Sequence, residues 1–153
     1  MITITCDGSC LSNGQEEPRA GYAAIIRYED GRTTEIFGRL EGEQTNNRAE
    51  LMAAIVGFDL ANASGDDIVT LITDSEYVIK GLTGWMQNWR KNGWKTAAKK
   101  PVKNRDLWEK LFDLTNGLSI MAHHVTGHSG DPEQERCDWM AKAGAQGYPS
   151  HGT

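Results

Sequence analysis

Long apolar runs are missing from this chain of 153 residues. The longest, LMAAIVGF at 51–58, is far too short to cross a bilayer, so we expect no membrane partner. The N-terminal stretch MITITCDGSC lacks a basic flank and an apolar signal core, which argues against secretion. Both absences favour a cytoplasmic protein.

Cysteine is scarce as well. The chain has three cysteines, Cys6, Cys10 and Cys137, an odd number without the CxxC spacing of a zinc site. They suit reduced thiols better than a disulfide framework. No internal repeat, low-complexity segment or Pro/Gly-rich linker divides the chain, so residues 1–153 are expected to form one domain. We also expect a monomer.

Charge is distributed unevenly along the sequence. The formal net charge is -5, which argues against a protein that is basic all over and coats nucleic acid. Residues 85–104, WMQNWRKNGWKTAAKKPVKN, nevertheless hold six of the 16 Lys and Arg and three of the five Trp, with no Asp or Glu. Without this segment, 10 basic residues face 21 acidic ones, a balance of -11. The segment is therefore a candidate anion-binding surface on an acidic body.

Hydrophobic patterning predicts an α/β protein. Short β-branched or apolar segments predict strands at 2–7, 21–29, 33–40, 68–73 and 118–125. Helical periodicity or helix-start signals predict helices at 47–65, 73–82, 104–117 and 131–147. This order predicts a mixed sheet flanked by helices. The polar C-terminal segment 147–153, GYPSHGT, is predicted to be a frayed tail.

Two of these helices carry distinct start signals. Either Asp74 or Ser75 can cap the second helix, and the sequence leaves both open. In the last helix, Asp131 is predicted as the N-cap, with Gln134 placed to reach back to it.

Four acidic residues occupy positions that suit chemistry: the end of the first strand, the start of the first helix, the end of the fourth strand and the middle of the last helix. They are Asp7, Glu50, Asp74 and Asp138. Each has an ordinary explanation: a turn residue, a capping box with Asn47, an N-cap and a solvated helix face. If the fold brings them together, however, the four carboxylates repel one another unless cations lie between them.

Such carboxylate clusters hold two divalent ions in enzymes of phosphoryl transfer. The segment GHSGD adds His128, a candidate proton carrier whose ordinary explanation is an exposed loop histidine.

Long motifs resemble those of bacterial type-1 ribonuclease H, in the same order along the chain. They are CDGSCL, TNNRAELMAAI, TDSEYV, GWKTAAKKPVKNRDLW and VTGHSGDPEQERCDWMA, and the likeness runs from residue 2 to about residue 145. The resemblance implies a ribonuclease H-like fold: a five-stranded mixed sheet, three antiparallel strands then two parallel, flanked by helices. It also implies a basic protrusion at about 85–104.

The implied activity is hydrolysis of the RNA strand of RNA/DNA hybrids, giving 3′-hydroxyl and 5′-phosphate ends. The implied cofactor is Mg²⁺, two ions per site, with Mn²⁺ as a possible substitute. By motif position the metal-binding carboxylates are Asp7, Glu50, Asp74 and Asp138, and the catalytic histidine is His128.

The resemblance also implies substrate contacts on both strands. The RNA side would meet Cys10, Asn13, Asn46 and Glu76. On the DNA side Thr45 and Asn104 would hold a phosphate and Trp85 would lie against a deoxyribose. The lysines of the protrusion, Lys95, Lys99 and Lys100, would meet further phosphates.

Two departures from the family pattern affect expected affinity. The loop SNGQEEPRAG is longer than the family's compact glycine-rich loop and carries Glu16 and Glu17. Glu76 stands where many relatives have Gln. An alternative reading is a hybrid-binding module of the same fold with weak or lost catalysis. The intact acidic positions argue against it, because a binder gains nothing from carboxylates that repel one another.

Overall fold

The computed structural model describes residues 1–12, 17–126 and 130–148, and the backbone of 151–152. Three residues discussed above, Asn13, Glu16 and His128, lie outside these ranges. The strands are β1 (Ile2–Leu11), β2 (Arg19–Arg27), β3 (Thr33–Arg39), β4 (Ile68–Thr73), β5 (Ser119–His124) and β6 (His151–Gly152). The helices are α1 (Asn46–Asn62), α2 (Glu76–Lys80), α3 (Met86–Lys91), α4 (Arg105–Thr115) and α5 (Pro132–Ala145), with a π-helical turn at Gly81–Trp85.

The strands form one mixed sheet in the order β5-β4-β1-β2-β3-β6. The first three are antiparallel neighbours, whereas β4 runs parallel to β1 and to β5. The predicted five-stranded arrangement is therefore confirmed. At the edge, His151 and Gly152 pair with Phe37 and Ile36 of β3 as a two-residue sixth strand. The prediction of a frayed tail missed this pairing because backbone hydrogen bonds do not require apolar side chains.

Two helices cover opposite faces of the sheet. Residues on one face of β1, among them Ile2 and Ile4, pack against Leu51, Ile55 and Phe58 of α1. On the other face, α5 contributes a smaller core of Cys137, Met140 and Ala141 over β2 and β3. Alternate residues of β2 enter the two cores: Ala24 and Ile26 lie on the α1 side, and Ala23 and Ile25 lie on the α5 side.

The helix starts follow the predicted segments but not every predicted cap. Thr45 caps α1, its hydroxyl oxygen accepting from the Arg48 N–H at 3.2 Å, so the predicted capping box of Asn47 and Glu50 is wrong. Ser75, one of the two residues left open, caps α2 through the Val78 N–H at 3.2 Å.

One of the two contacts predicted at the start of α5 is present in the structure. Asp131 accepts from the Glu133 N–H at 3.1 Å, which confirms it as the N-cap. Gln134 does not reach back. Its amide is buried, and neither polar atom has a hydrogen-bond partner among the described residues.

The second predicted helix extends well beyond residue 82. The π-helical turn joins α2 to α3, so helical backbone continues from residue 76 to 91. A π-turn inserts an extra residue per turn and re-aims the side chains that follow it. Within the described ranges, no helix is both long enough and apolar enough to span a membrane.

Candidate active site

Three of the predicted carboxylates meet at one edge of the sheet. Asp7 lies in β1, Asp74 directly follows β4, and Glu50 projects from α1. One carboxylate oxygen from each lies within 4.8 Å of the others. The parallel register of β1 on β4 brings the two aspartates together, because Thr5 pairs with Ile72 and each aspartate follows two residues later.

Gly8 allows α1 to approach this edge closely. A Cβ at position 8 would lie closer than 3.0 Å to the backbone of Ala49 and Glu50, so only glycine fits. The Gly8 N–H donates to the Glu50 carboxylate. Glu50 therefore turns towards β1 and the other carboxylates, not back to the start of its own helix.

Burial and mutual repulsion act on the cluster. Asp7 and Glu50 are 4% and 5% exposed. Burial, followed by the charges of Glu50 and Asp74, raises the pKa of Asp7. Burial and the charge of Asp74 likewise raise the pKa of Glu50. The free protein therefore resists ionising Asp7 and Glu50, and a bound cation would relieve that cost.

Asp138, the fourth predicted ligand, stands beside this cluster without joining it. Its carboxylate accepts from Lys142 Nζ at 2.9 Å, an i,i+4 pair on α5. It is still close enough for its charge to raise the pKa of Asp7. The structure thus brings together three of the four predicted carboxylates, with the fourth tied to a lysine.

One neighbour of the cluster was not singled out by the sequence. His124, at the end of β5, has its Nε2 3.1 Å from the backbone carbonyl oxygen of Asp74. Its position follows from the register of β5 on β4, where His124 pairs with Thr73. The sequence places His124 in a strand, but only that register brings it beside Asp74.

A cleft of about 390 Å³ opens beside the carboxylates. Its lining residues are Asp7, Gly8, Asn46, Asn47, Glu50, Asp74, Ser75, Glu76 and Tyr77. Two predicted RNA-side residues, Asn46 and Glu76, are exposed in it. A third, Cys10, is half-buried, and its thiol lies 3.9 Å from the Gln44 carbonyl oxygen.

A second groove, of about 300 Å³, lies alongside. Its lining residues are Asn47, Tyr77, Trp85, Trp89, Thr96, Val102 and Lys103. Trp85 is 37% exposed and packs edge-on to Tyr77 with ring centroids 5.8 Å apart. This predicted sugar-contacting indole is therefore held by a neighbour and still open to a ligand.

The predicted lysines occupy a closed loop beyond this groove. Lys95 pairs with Pro101 in an antiparallel bridge, and the Thr96 N–H donates to the Lys100 carbonyl at 2.8 Å. Lys95, Lys99 and Lys100 are all exposed. The loop fixes the backbone and leaves three ammonium groups in solvent.

The two predicted phosphate-holding residues lie at helix starts. Thr45 caps α1, while Asn104 precedes α4 with φ 61°, a left-handed conformation that asparagine tolerates. Behind them Arg48 forms a bidentate pair with Asp106, at 2.9 and 2.8 Å.

Comparison with known proteins decides the family. The profile of the family described as RNase H matches residues 1–146. The chain belongs to the RNase H family. It is 50% identical over 146 residues to the ribonuclease H of Cronobacter sakazakii, covering 95% of this chain and 87% of that one. The ribonuclease H of Citrobacter koseri is 48% identical over 145 residues, covering 95% and 89%.

A solved RNase H has a similar fold. LC9-RNase H1, described as a type 1 RNase H with the type 2 active-site motif, superimposes with a TM-score of 0.84 at 29% identity. The match covers 97% of this chain and 74% of that one. The resemblance drawn from the motifs is thus confirmed for family and fold, and the roles of individual residues stay predictions.

The sequence did not reveal the residues that hydrogen-bond to one another next to this RNase H site. Arg48, Tyr77, Asp106 and Trp108 form a connected hydrogen-bond network with Asn104. All four lie inside the quoted motifs, but nothing in the linear order shows that they meet.

Proposed function

We propose that this chain is the endoribonuclease of its family, hydrolysing the RNA strand of RNA/DNA hybrids to 3′-hydroxyl and 5′-phosphate ends. The observation that carries the proposal is the buried cluster of Asp7, Glu50 and Asp74 at the floor of an open cleft. A groove with exposed Trp85 lies beside it. The proposed catalytic carboxylates and the proposed nucleic-acid-binding groove are therefore adjacent.

The cluster fits divalent metal ions. Carboxylate oxygens are the hard ligands that Mg²⁺ and Mn²⁺ accept. Burial and neighbouring carboxylates raise the pKa of Asp7 and of Glu50, so a bound cation would favour their ionised forms. We propose two Mg²⁺ ions held by Asp7, Glu50, Asp74 and Asp138, with Mn²⁺ as a substitute. When bound, such a pair activates a water molecule and stabilises the leaving oxygen.

The chain's own residues prepare this site. Gly8 and its N–H orient Glu50, and Ser75 begins α2 immediately after Asp74. Asp138 pairs with Lys142 through one carboxylate oxygen, so its other oxygen could serve as a metal ligand. His128 is proposed to carry a proton at the cleft, as its motif position implies.

Hybrid recognition would divide between the two clefts. In the carboxylate cleft, Asn46 and Glu76 would recognise the RNA 2′-hydroxyl. Cys10 and Asn13 would also contact the RNA strand. In the Trp groove, Trp85 would pack on a deoxyribose. Thr45 and Asn104, at the starts of α1 and α4, would hold a DNA phosphate. A single domain acting as a cytoplasmic monomer is part of the proposal, consistent with its free cysteines.

The direct test is cleavage of an end-labelled RNA/DNA hybrid, with single-stranded RNA, duplex RNA and duplex DNA as controls. We expect hybrid-only cleavage with Mg²⁺ or Mn²⁺ and none with EDTA. Hybrid binding without cleavage under either metal would instead identify a binding module, and cleavage of duplex DNA would mean a different nuclease.

The lysine loop gives a first quantitative prediction. Replacing Lys95, Lys99 and Lys100 together by Ala should raise KM about 10-fold or more at low salt and reduce the slope of log KM against log salt by about 2–3, one counterion per lost phosphate contact. The kcat should change less than about twofold, because the loop lies away from the carboxylates.

The control for the lysine loop is Arg32→Ala with Lys110→Ala, two cations outside the loop. It should leave KM and the salt slope unchanged. A large fall in kcat for the loop variant at saturating substrate would contradict a purely gripping role.

Glu76 gives a second prediction. Its carboxylate lines the cleft, and its nearest cation, Lys80, is 3.8 Å away in an exposed pair that offers little compensation. Glu76→Gln removes a negative charge facing the RNA and restores a hydrogen-bond donor, so the Kd for hybrid should fall about threefold to tenfold. Binding is measured in EDTA with fluorescently labelled hybrid.

The matched control for Glu76 is Glu29→Gln, which removes the same charge from the opposite end of β1, where Glu29 faces the N-terminus. It should leave the Kd unchanged. An equal gain for both variants would mean that net charge alone sets the affinity.

A further inference from the structure

The hydroxyl of Tyr77 accepts two hydrogen bonds from residues of α4 and its start. Asn104 Nδ2 donates at 3.1 Å and the indole Nε1–H of Trp108 donates at 3.0 Å. The Tyr77 ring packs on Trp108 with centroids 5.2 Å apart. The side chain is thus held by its ring as well as its oxygen, which leaves it little freedom to turn.

Tyr77 also stands between the two clefts. It lines both the carboxylate cleft and the Trp groove. It follows Asp74 by three residues in the chain, so its backbone belongs to the element that places one carboxylate of the cluster. No other aromatic residue within the described ranges lines both clefts.

The network continues from Asn104 to α1. Arg48 Nη1 donates to Asn104 Oδ1 at 3.3 Å, and its guanidinium is fixed by the bidentate pair with Asp106. Arg48 lies two residues before Glu50 on α1. The starts of α1, α2 and α4 are therefore joined through the Asn104 side chain.

These contacts set the direction of the Asn104 amide. Its nitrogen points to Tyr77 and its oxygen to Arg48, and its side chain makes no capping bond to its own helix. An amide nitrogen carries two hydrogens, so one remains for a ligand after Tyr77 is satisfied. Without the Tyr77 oxygen, only the long bond from Arg48 would restrain the group.

We propose that Tyr77 is a positioning residue for the substrate: its hydroxyl aims the Asn104 amide so that a DNA-strand phosphate sits at a set distance from the carboxylate cluster. The inference rests on the proposed function, in which Asn104 holds that phosphate. The Tyr77 hydroxyl would thus favour a correctly placed DNA strand without contacting the scissile bond.

The test compares Tyr77→Phe, Asn104→Ala and the double variant. Tyr77→Phe should raise KM for hybrid cleavage about threefold to tenfold, the range for one net hydrogen bond, with kcat within about twofold of native. The Kd for hybrid in EDTA should rise by the same factor. Asn104→Ala should raise both constants, and adding Tyr77→Phe to it should have no further effect.

Tyr28→Phe is the matched control, because its hydroxyl also accepts a side-chain hydrogen bond, from Thr34 at 3.3 Å, but it lines neither cleft. It should leave KM and Kd unchanged. Thermal melting of each variant checks that the fold persists, and Asn104→Ala tests the same link while leaving the Tyr77 hydroxyl and its bond from Trp108 in place.

Several results would overturn the proposal. An equal penalty from Tyr77→Phe with or without Asn104 would mean that Tyr77 does not act through the amide. A fall in kcat with unchanged KM, or an Asn104→Ala variant with native KM and Kd, would do the same. Hybrid binding without cleavage by the native protein would instead overturn the proposed function, and the Kd comparison would still decide on Tyr77.

Discussion

Asp7→Asn should abolish hybrid cleavage and at the same time stabilise the metal-free fold. The kcat should fall at least about 10³-fold, equivalent to about 4 kcal/mol of transition-state stabilisation, because a neutral amide is a poor ligand for a divalent cation. The free energy of unfolding in EDTA should rise by about 2–3 kcal/mol, the equivalent of roughly two pKa units. Asp7 is buried beside Glu50, and burial and the neighbouring carboxylates disfavour its charge.

The pH dependence follows from the same groups. Because the pKa of Asp7 is raised in the fold, the unfolded chain loses its proton first as pH rises above about 4. Native stability in EDTA should therefore fall from pH 4 towards neutrality, and Asp7→Asn should flatten this fall. Added Mg²⁺ should raise the native melting temperature but not that of the variant.

Asp138→Asn is the comparison for stability. Its carboxylate is half-exposed and paired with Lys142, so the substitution relieves little burial and removes an ion pair. It should not stabilise the fold. If Asp7→Asn cleaved hybrid at the native rate, the cluster would not be the catalytic site. If it destabilised the metal-free protein, the carboxylate would be favourably bonded in the fold.

Gly81→Ala should be strongly destabilising. A Cβ at this position would lie closer than 3.0 Å to three carbons of the Trp108 ring, which is fully buried and cannot move aside cheaply. Overpacking of a dense core costs about 1–3 kcal/mol and occasionally more, and we expect the upper end. For a domain of this size that lowers the melting temperature by about 6–12 °C.

Gly84→Ala supplies a matched control in the same π-helical turn. A Cβ there would meet nothing within 4 Å, and the backbone is helical. This variant should be as stable as native or gain up to about 1 kcal/mol, since alanine favours helices over glycine. Equal losses at both positions would mean that the turn, and not the Trp108 contact, is sensitive.

The sequence predicted most of the fold because its periodicities are strong. Strand β4 is predicted at 68–73, where the structure has it, because a short, nearly all-apolar run between turns is typical of a buried strand. The π-helical turn was missed because GLTGW is compatible with ordinary helix, and only packing of Gly81 on Trp108 distinguishes the two.

The candidate site was predicted less completely, for a related reason. Asp7, Glu50 and Asp74 were singled out together, and the structure brings their carboxylates together, although β1 continues to Leu11 and does not end at Asp7 as predicted. Their role as metal ligands stays a prediction. Glu50 was assigned an incorrect capping alternative, since local spacing cannot reveal its bond to Gly8, 42 positions away. Tyr77 and Arg48 escaped notice because their function in the network depends wholly on tertiary contacts.

The separation of charge between residues 85–104 and the rest of the chain also has a kinetic consequence. Six cations lie in residues 85–104, while the remainder carries a balance of -11. Residues 85–104 attract an approaching polyanion, and the rest of the chain repels it. The polyanion is therefore oriented relative to the protein before contact. The association rate constant should therefore fall steeply with salt. If the proposed short-range packing on Trp85 governs dissociation, the dissociation rate constant should change much less.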